Sequence, residues 1–201
     1  MPSLDDIFRY FWGVWKMMLG RKEGLGYLDI SAEGFWSSFF ALAIALPPMF
    51  ANWASFAADL TAGRDEAGLR FTIVTRAAVV EIAAWIIPLV IIGLLAKRIG
   101  IAKRYAAFVI ATNWGSALIS WIFAPITLLQ LFFPGQADVS TLFAFILFGI
   151  SIVFGYRLTF VALQRPHTYT APFFACTVFG SLFLTVLLQQ LFGIGFDPHA
   201  Y

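Results

Sequence analysis

Five long apolar stretches occupy most of the 201 residues, at 34–56, 72–95, 105–131, 141–163 and 172–192. Crossing a bilayer takes about 20 mostly apolar residues, because a rise of roughly 1.5 Å per residue must cover about 30 Å of hydrocarbon. Each stretch meets that length. The chain is 61% hydrophobic and 12% charged, whereas an average soluble domain carries roughly a quarter charged residues. The sequence therefore predicts an all-α polytopic membrane protein. The separators have polar or turn chemistry: 59–70 is charged, 97–104 is basic, 133–140 holds Pro134-Gly135, and 164–170 holds Arg165-Pro166. None is long enough to fold alone, so 1–201 reads as a single membrane domain.

Basic residues flanking spans in short loops are retained on the cytoplasmic side. Arg9, Lys16, Arg21, Lys22, Lys97, Arg98, Lys103, Arg104, Arg157 and Arg165 share one face, and only Arg64, Arg70 and Arg76 fall on the other. This asymmetry predicts a cytoplasmic N-terminus and an outward C-terminus. The net charge of +2 is thereby explained as topology, and no nucleic-acid partner is expected.

Ahead of the spans, residues 3–20 have helical periodicity. Leu4, Ile7, Phe8, Phe11, Trp12, Trp15, Met18 and Leu19 form one side, and Asp5, Arg9, Gly13 and Lys16 the other. Ser3 with Asp6 resembles a capping box, and Gly20 with Arg21-Lys22 provides a stop. An amphipathic helix in the headgroup boundary is expected, with Phe8, Phe11, Trp12 and Trp15 as interfacial anchors. It would brace the bundle, shape the membrane or bind a partner. Asp5, Asp6 and Lys16 with no small-residue cleavage site do not read as a signal peptide. Residues 21–33 read as a connection loosened by Gly24 and Gly26, with Ser31 capping the first span. Trp36 reads as an interfacial anchor.

Within the spans, an ionisable group costs several kcal/mol unless it faces protein or water. Glu81 is the outstanding case, about 21 Å into the second span at roughly 1.5 Å per residue. Ala77, Ala78, Ala84 and Trp85 share its face, and small neighbours there direct Glu81 into the bundle. Pro47-Pro48, Pro88 and Pro125 lie within three spans, and each should loosen its helix. A proline removes a backbone donor, which frees carbonyls near Ala43, Ile44, Ala84 and Trp121. Glu81, Asn113, Arg157, Pro47 and Pro88 together form a candidate intramembrane polar site. In the alternative, Arg157 and Arg76 snorkel to the interfaces, Asn113 hydrogen-bonds between helices and Glu81 is a structural lock. Ala107, Ala111 and Gly115, and beside them Ser116, Ser120 and Ala124, make stripes suited to close helix packing or to a homo-oligomer interface, as do Ser37, Ala41 and Ala45.

Catalytic motifs are not found: there is no nucleophile elbow, phosphate loop or dinucleotide glycine pattern. His167 and His199 fall on opposite faces, and the single Cys176 reads as a small residue at a helix interface. No enzyme activity, cofactor or metal is expected.

Five Phe-rich spans with opposed termini resemble the Ypt-interacting-protein (Yip) domain group and its bacterial relatives. That resemblance implies a bacterial inner-membrane protein, and its eukaryotic members act in membrane trafficking with small GTPases. The stretch Asp29-Ile-Ser-Ala-Glu-Gly-Phe-Trp-Ser-Ser-Phe and the segment Ala111-Thr-Asn-Trp-Gly-Ser are also similar to small bacterial membrane proteins described as transporters. Two functions follow as expectations. The favoured one is a non-enzymatic component of a membrane complex, or a lipid-organising factor, with lipid and a protein partner or second copy as its contacts. The alternative is a small transporter or channel that uses Glu81 and the proline-kinked helices as an ion or proton path.

Overall fold

The structure, a computed structural model, describes residues 1–61, 67–133 and 137–194. Arg64, Pro134-Gly135 and His199, named above, lie outside these residues. The described regular structure is helical. It comprises α1 (Leu4–Met18), a 3-10 turn (Lys22–Tyr27), α2 (Ala32–Ser37), α3 (Phe40–Leu60), α4 (Ala67–Leu95), α5 (Tyr105–Phe132), α6 (Ala137–Leu163) and α7 (His167–Leu191). Five helices, counting Ala32–Leu60 as one span, are long and apolar enough to cross a membrane. The chain is a polytopic helical membrane protein.

Local chemistry explains the ends of these elements. Ser3 accepts from the Asp6 N–H at 3.1 Å while Asp6 accepts from the Ser3 N–H at 3.0 Å, so the capping box is formed. Gly20, at φ +82, closes α1 in a conformation that an L side chain resists. Ser31 caps α2 by accepting from Gly34 N–H at 3.1 Å. α7 begins at His167, earlier than the expected 172, because Pro166 occupies the N-cap with extended backbone and Pro172 is absorbed within the helix.

The first span, expected to be continuous and loosened at its prolines, is interrupted near its start. α3 runs unbroken through Pro47-Pro48, and the interruption falls at Ser38–Phe39. Ser37 Oγ and Ser38 Oγ donate to the carbonyls of Gly34 and Phe35 at 3.1 and 2.7 Å. These hydroxyls compete for the helix's own acceptors, which favours termination.

The spans form a ring. α3 packs on α5, α5 on α6, α6 on α7, α7 on α4, and α4 returns to α3. At the basic end, Arg165 donates to the Gly100 carbonyl at 2.5 Å, Arg104 donates to Gln164, and Tyr169 Oη donates to the Ile99 carbonyl. At the far end, Arg76 donates to the Phe192 carbonyl and Arg70 to Thr61 Oγ1, both at 3.0 Å.

α1 is more deeply engaged than an interfacial brace. Ile7, Tyr10, Gly13, Val14, Met17 and Met18 are buried, against α5 and α6. The Tyr10 and Phe11 rings meet Trp114 at centroid distances of 4.9 and 5.8 Å, and Trp15 meets Phe154 at 5.5 Å. Of the four expected anchors, Phe11 and Trp15 thus pack on the bundle, while Phe8 and Trp12 stay exposed. Gly24 does not loosen the following connection. A Cβ there would come 2.7 Å from Met17 Cγ and one on Gly13 would come 2.7 Å from Tyr27 Cβ, so paired glycines let the 3-10 turn seat on α1.

Candidate intramembrane site

Glu81 enters the ring interior from α4, where Trp53 of α3 donates its indole N–H to Glu81 Oε2. The other carboxyl oxygen has no hydrogen-bond partner among the described residues. A buried indole needs an acceptor for its single donor, and in hydrocarbon a carboxyl is among the few side chains that supply one. The contact joins α3 and α4, and the small residues one turn from each partner, Ala57 on α3 and Ala77 on α4, are buried.

Three cavities surround this carboxyl. The largest, about 420 Å³, lies among α4, α5, α6 and α7, with Met18 of α1 closing one side. Its walls carry the hydroxyls of Thr112, Ser116, Ser151, Thr159, Thr177 and Ser181. A second, about 330 Å³, lies between α3, α4 and α7 and carries Asn52, Thr185 and Gln189. A third, about 220 Å³, lies between α3, α4 and α5 and carries Asn52, Ser120 and Thr127. Among the described residues, Glu81 alone lines all three.

No known protein family, curated protein or solved structure matches the chain. The site is therefore read from its own geometry.

The structure separates the residues grouped by sequence. Pro88 shares the central cavity with Glu81. Asn113, 1% exposed, lines none of the three cavities. It is held by its own bonds, accepting from Trp85 Nε1 at 3.0 Å and donating to Ser38 Oγ at 2.9 Å, and so ties α5 to α4 and to the α2–α3 break. Arg157 is exposed beside Gly20, at the end of α1, and has no place in the cavity. Pro47 is exposed and lines none of the three cavities, whereas Pro48 lies against the third.

The packing stripes are also divided. Ala107, Ala111 and Gly115 are buried as expected, and a Cβ on Gly115 would come 2.6 Å from Leu158 Cδ1. Gly115 and Ser116 both line the cavity of about 420 Å³, and Ser120 lines the one of about 220 Å³. Cys176 is exposed on α7 rather than packed between helices. His167 is no free loop side chain: it opens α7, stacks on Phe160 at 4.1 Å and places Nδ1 2.5 Å from Tyr156 Oη.

Sequence reasoning missed Trp53 and Asn52, and placed Trp85 on the Glu81 face without its bond to Asn113. A signal was present, since Trp favours membrane interfaces. A mid-span Trp carries an N–H that must be satisfied inside the bundle. Trp53 and Trp85 each find their acceptor 28 residues downstream.

Proposed function

We propose that this protein is a small transporter or channel in which Glu81 is the ionisable station on a path for a proton or small cation through the helix ring. The observation that carries this reading is the position of Glu81 as the shared wall of three cavities. Two of these contain amide and hydroxyl groups of α3, α5 and α7, and the third contains hydroxyls of α5, α6 and α7. Hydroxyls and amides can solvate a cation or hold water without placing further net charge in hydrocarbon. Trp53 steadies one oxygen of the carboxyl and leaves the other to exchange a proton or meet a cation. Among the described residues lining the three cavities, Glu81 is the acid around which the path is built.

The test is flux. Protein reconstituted into vesicles that enclose a pH-reporting dye should dissipate an imposed pH gradient faster than empty vesicles, with sodium and potassium supplied separately to expose coupled cation movement. Glu81→Gln should reduce this to the empty-vesicle rate. Wild-type flux in Glu81→Gln, or no flux above empty vesicles for the wild type with any of these ions, overturns the proposal.

The membrane-organising reading retains one supporting observation. Leu4, Phe8 and Trp12 follow one another at four-residue steps and remain 74%, 70% and 54% exposed on α1. A role resting on this face tolerates Glu81→Gln and is lost when the three side chains are truncated to alanine together.

A further inference from the structure

We propose that the groove between α4 and α7 is a binding site for an anionic diacyl phospholipid, with the headgroup phosphate held at the basic end and an acyl chain running along the helices. The inference is independent of the role of Glu81.

The groove holds about 1010 Å³. Its two ends are fixed: Arg76 of α4 donates to the Phe192 carbonyl beyond α7 at the far end, and at the basic end the 96–104 loop accepts from Arg165 and Tyr169. Its body is apolar, with Ile91, Leu95, Phe173, Phe183 and Leu184 among its walls. Along α7 it extends from Tyr169 to Leu184, 15 residues or about 22 Å at roughly 1.5 Å per residue. One leaflet of hydrocarbon is about 15 Å deep, so the length suits one acyl chain and the start of a headgroup.

Charge is confined to one end. Arg98 and Arg165 line the groove there, and among the described residues no Asp or Glu lines it. Arg165 is anchored by the Gly100 carbonyl and lies over the Tyr169 ring at 5.8 Å. Arg98 has neither a hydrogen bond nor an ion pair among the described residues. Two guanidiniums, each able to grip phosphate oxygens in a fork, face an opening whose floor is hydrocarbon-like. The N-terminus of α7, with Thr168 in the wall, adds partial positive charge at the same end. A free phosphate would use only this end and leave the apolar body unfilled. A neutral lipid would leave both arginines unmatched.

Cys176 provides the readout. It lines the groove, is exposed, and is the only cysteine in the chain, so its modification reports this place alone. It lies seven residues beyond Tyr169 on α7, about 10 Å from the basic end, where a bound chain would cover it. Full-length protein in detergent at low salt would be titrated with phosphatidylglycerol or with phosphatidylcholine of the same chains. The rate at which Cys176 reacts with methyl methanethiosulfonate would be followed by intact mass.

Phosphatidylglycerol is expected to protect Cys176 at a lower concentration than phosphatidylcholine, and Arg98→Gln and Arg165→Gln each to raise that concentration about fivefold, the factor that one basic group near an anionic headgroup contributes. Arg98→Gln is the decisive variant, because Arg98 holds nothing else in place. Gly180→Trp fills the groove where a Cβ meets open space, and is expected to remove the lipid dependence. Equal protection by the two lipids, an unchanged midpoint in Arg98→Gln, or equal protection by inorganic phosphate alone overturns the proposal.

Discussion

Trp121 of α5 donates its indole N–H to the carbonyl of Ile44 on α3, 3.0 Å away. That carbonyl is the one Pro48 deprives of its helical donor, since the missing N–H at position 48 would have pointed to residue 44. Backbone groups in hydrocarbon must be satisfied within the protein. Here the bond that the proline removes within a helix is replaced by a bond between helices. α3 therefore continues through its paired prolines and is tied to α5 at the same point.

Trp121→Phe strands the Ile44 carbonyl and is expected to cost about 1 kcal/mol, within the range for interhelical hydrogen bonds in membranes. In a Pro48→Ala background the helix supplies its own donor and the same change should cost close to nothing. Reversible unfolding in detergent, measured for the four proteins of this cycle, reads the coupling. Equal costs in both backgrounds would show that Trp121 contributes packing alone.

Asn113→Ala removes an acceptor from Trp85 and a donor to Ser38 at one stroke. A destabilisation of about 1–3 kcal/mol is expected from the stranded indole N–H. Ser38→Ala should cost less, because it leaves the Trp85 to Asn113 bond in place. The order Asn113→Ala above Ser38→Ala in the same unfolding assay is the result to look for, and the reverse order would remove Asn113 from its bridging role.

The glycines of the first connection should behave oppositely. Gly24→Ala drives a methyl group into Met17 and the Gly13 carbonyl, whereas Gly26→Ala meets open space. Limited proteolysis between α1 and α2 should quicken several-fold in Gly24→Ala and stay at the wild-type rate in Gly26→Ala. Gly13→Ala should resemble Gly24→Ala, because it presses on the same contact from the other side.

The α1 cap is sensitive to acid. Asp6 is held below its ordinary value of 3.8 by the hydrogen bond from the Ser3 hydroxyl, then by the Ser3 backbone N–H and, more weakly, by Arg9. A carboxylate whose folded value is depressed stabilises fully above its ordinary value, and that contribution is lost as pH falls through the lower folded one. Amide exchange in the first turn of α1, corrected for its intrinsic pH dependence, should accelerate on acidification below 3.8. In Asp6→Asn it should start faster and lose that pH dependence. Asp29 is lowered by the backbone N–H and side chain of Ser31, and should give the same response at α2.

The spans, the amphipathic first helix with its Ser3–Asp6 box, the Ser31 cap and the inward course of Glu81 were all legible from sequence. Each rests on local physics: apolar length, helical periodicity, and the cost of placing a carboxyl or an uncapped helix end in the wrong medium. Of the carbonyls the prolines were expected to free, Ile44 is seen taking a replacement donor from another helix, while the interruption at Ser38–Phe39 had no mark in the proline pattern. Trp53 reaching Glu81, Trp85 reaching Asn113, Arg157 lying outside the ring, and Gly24 pressed against α1 while Gly26 is free depend on how far each helix is rotated and shifted against its neighbours. That rotation is set by the sum of many side-chain contacts across the ring, and so is the shape of the spaces left between helices. A single segment can state that Glu81 must turn inward. Only the packed ring determines that it turns toward three cavities at once.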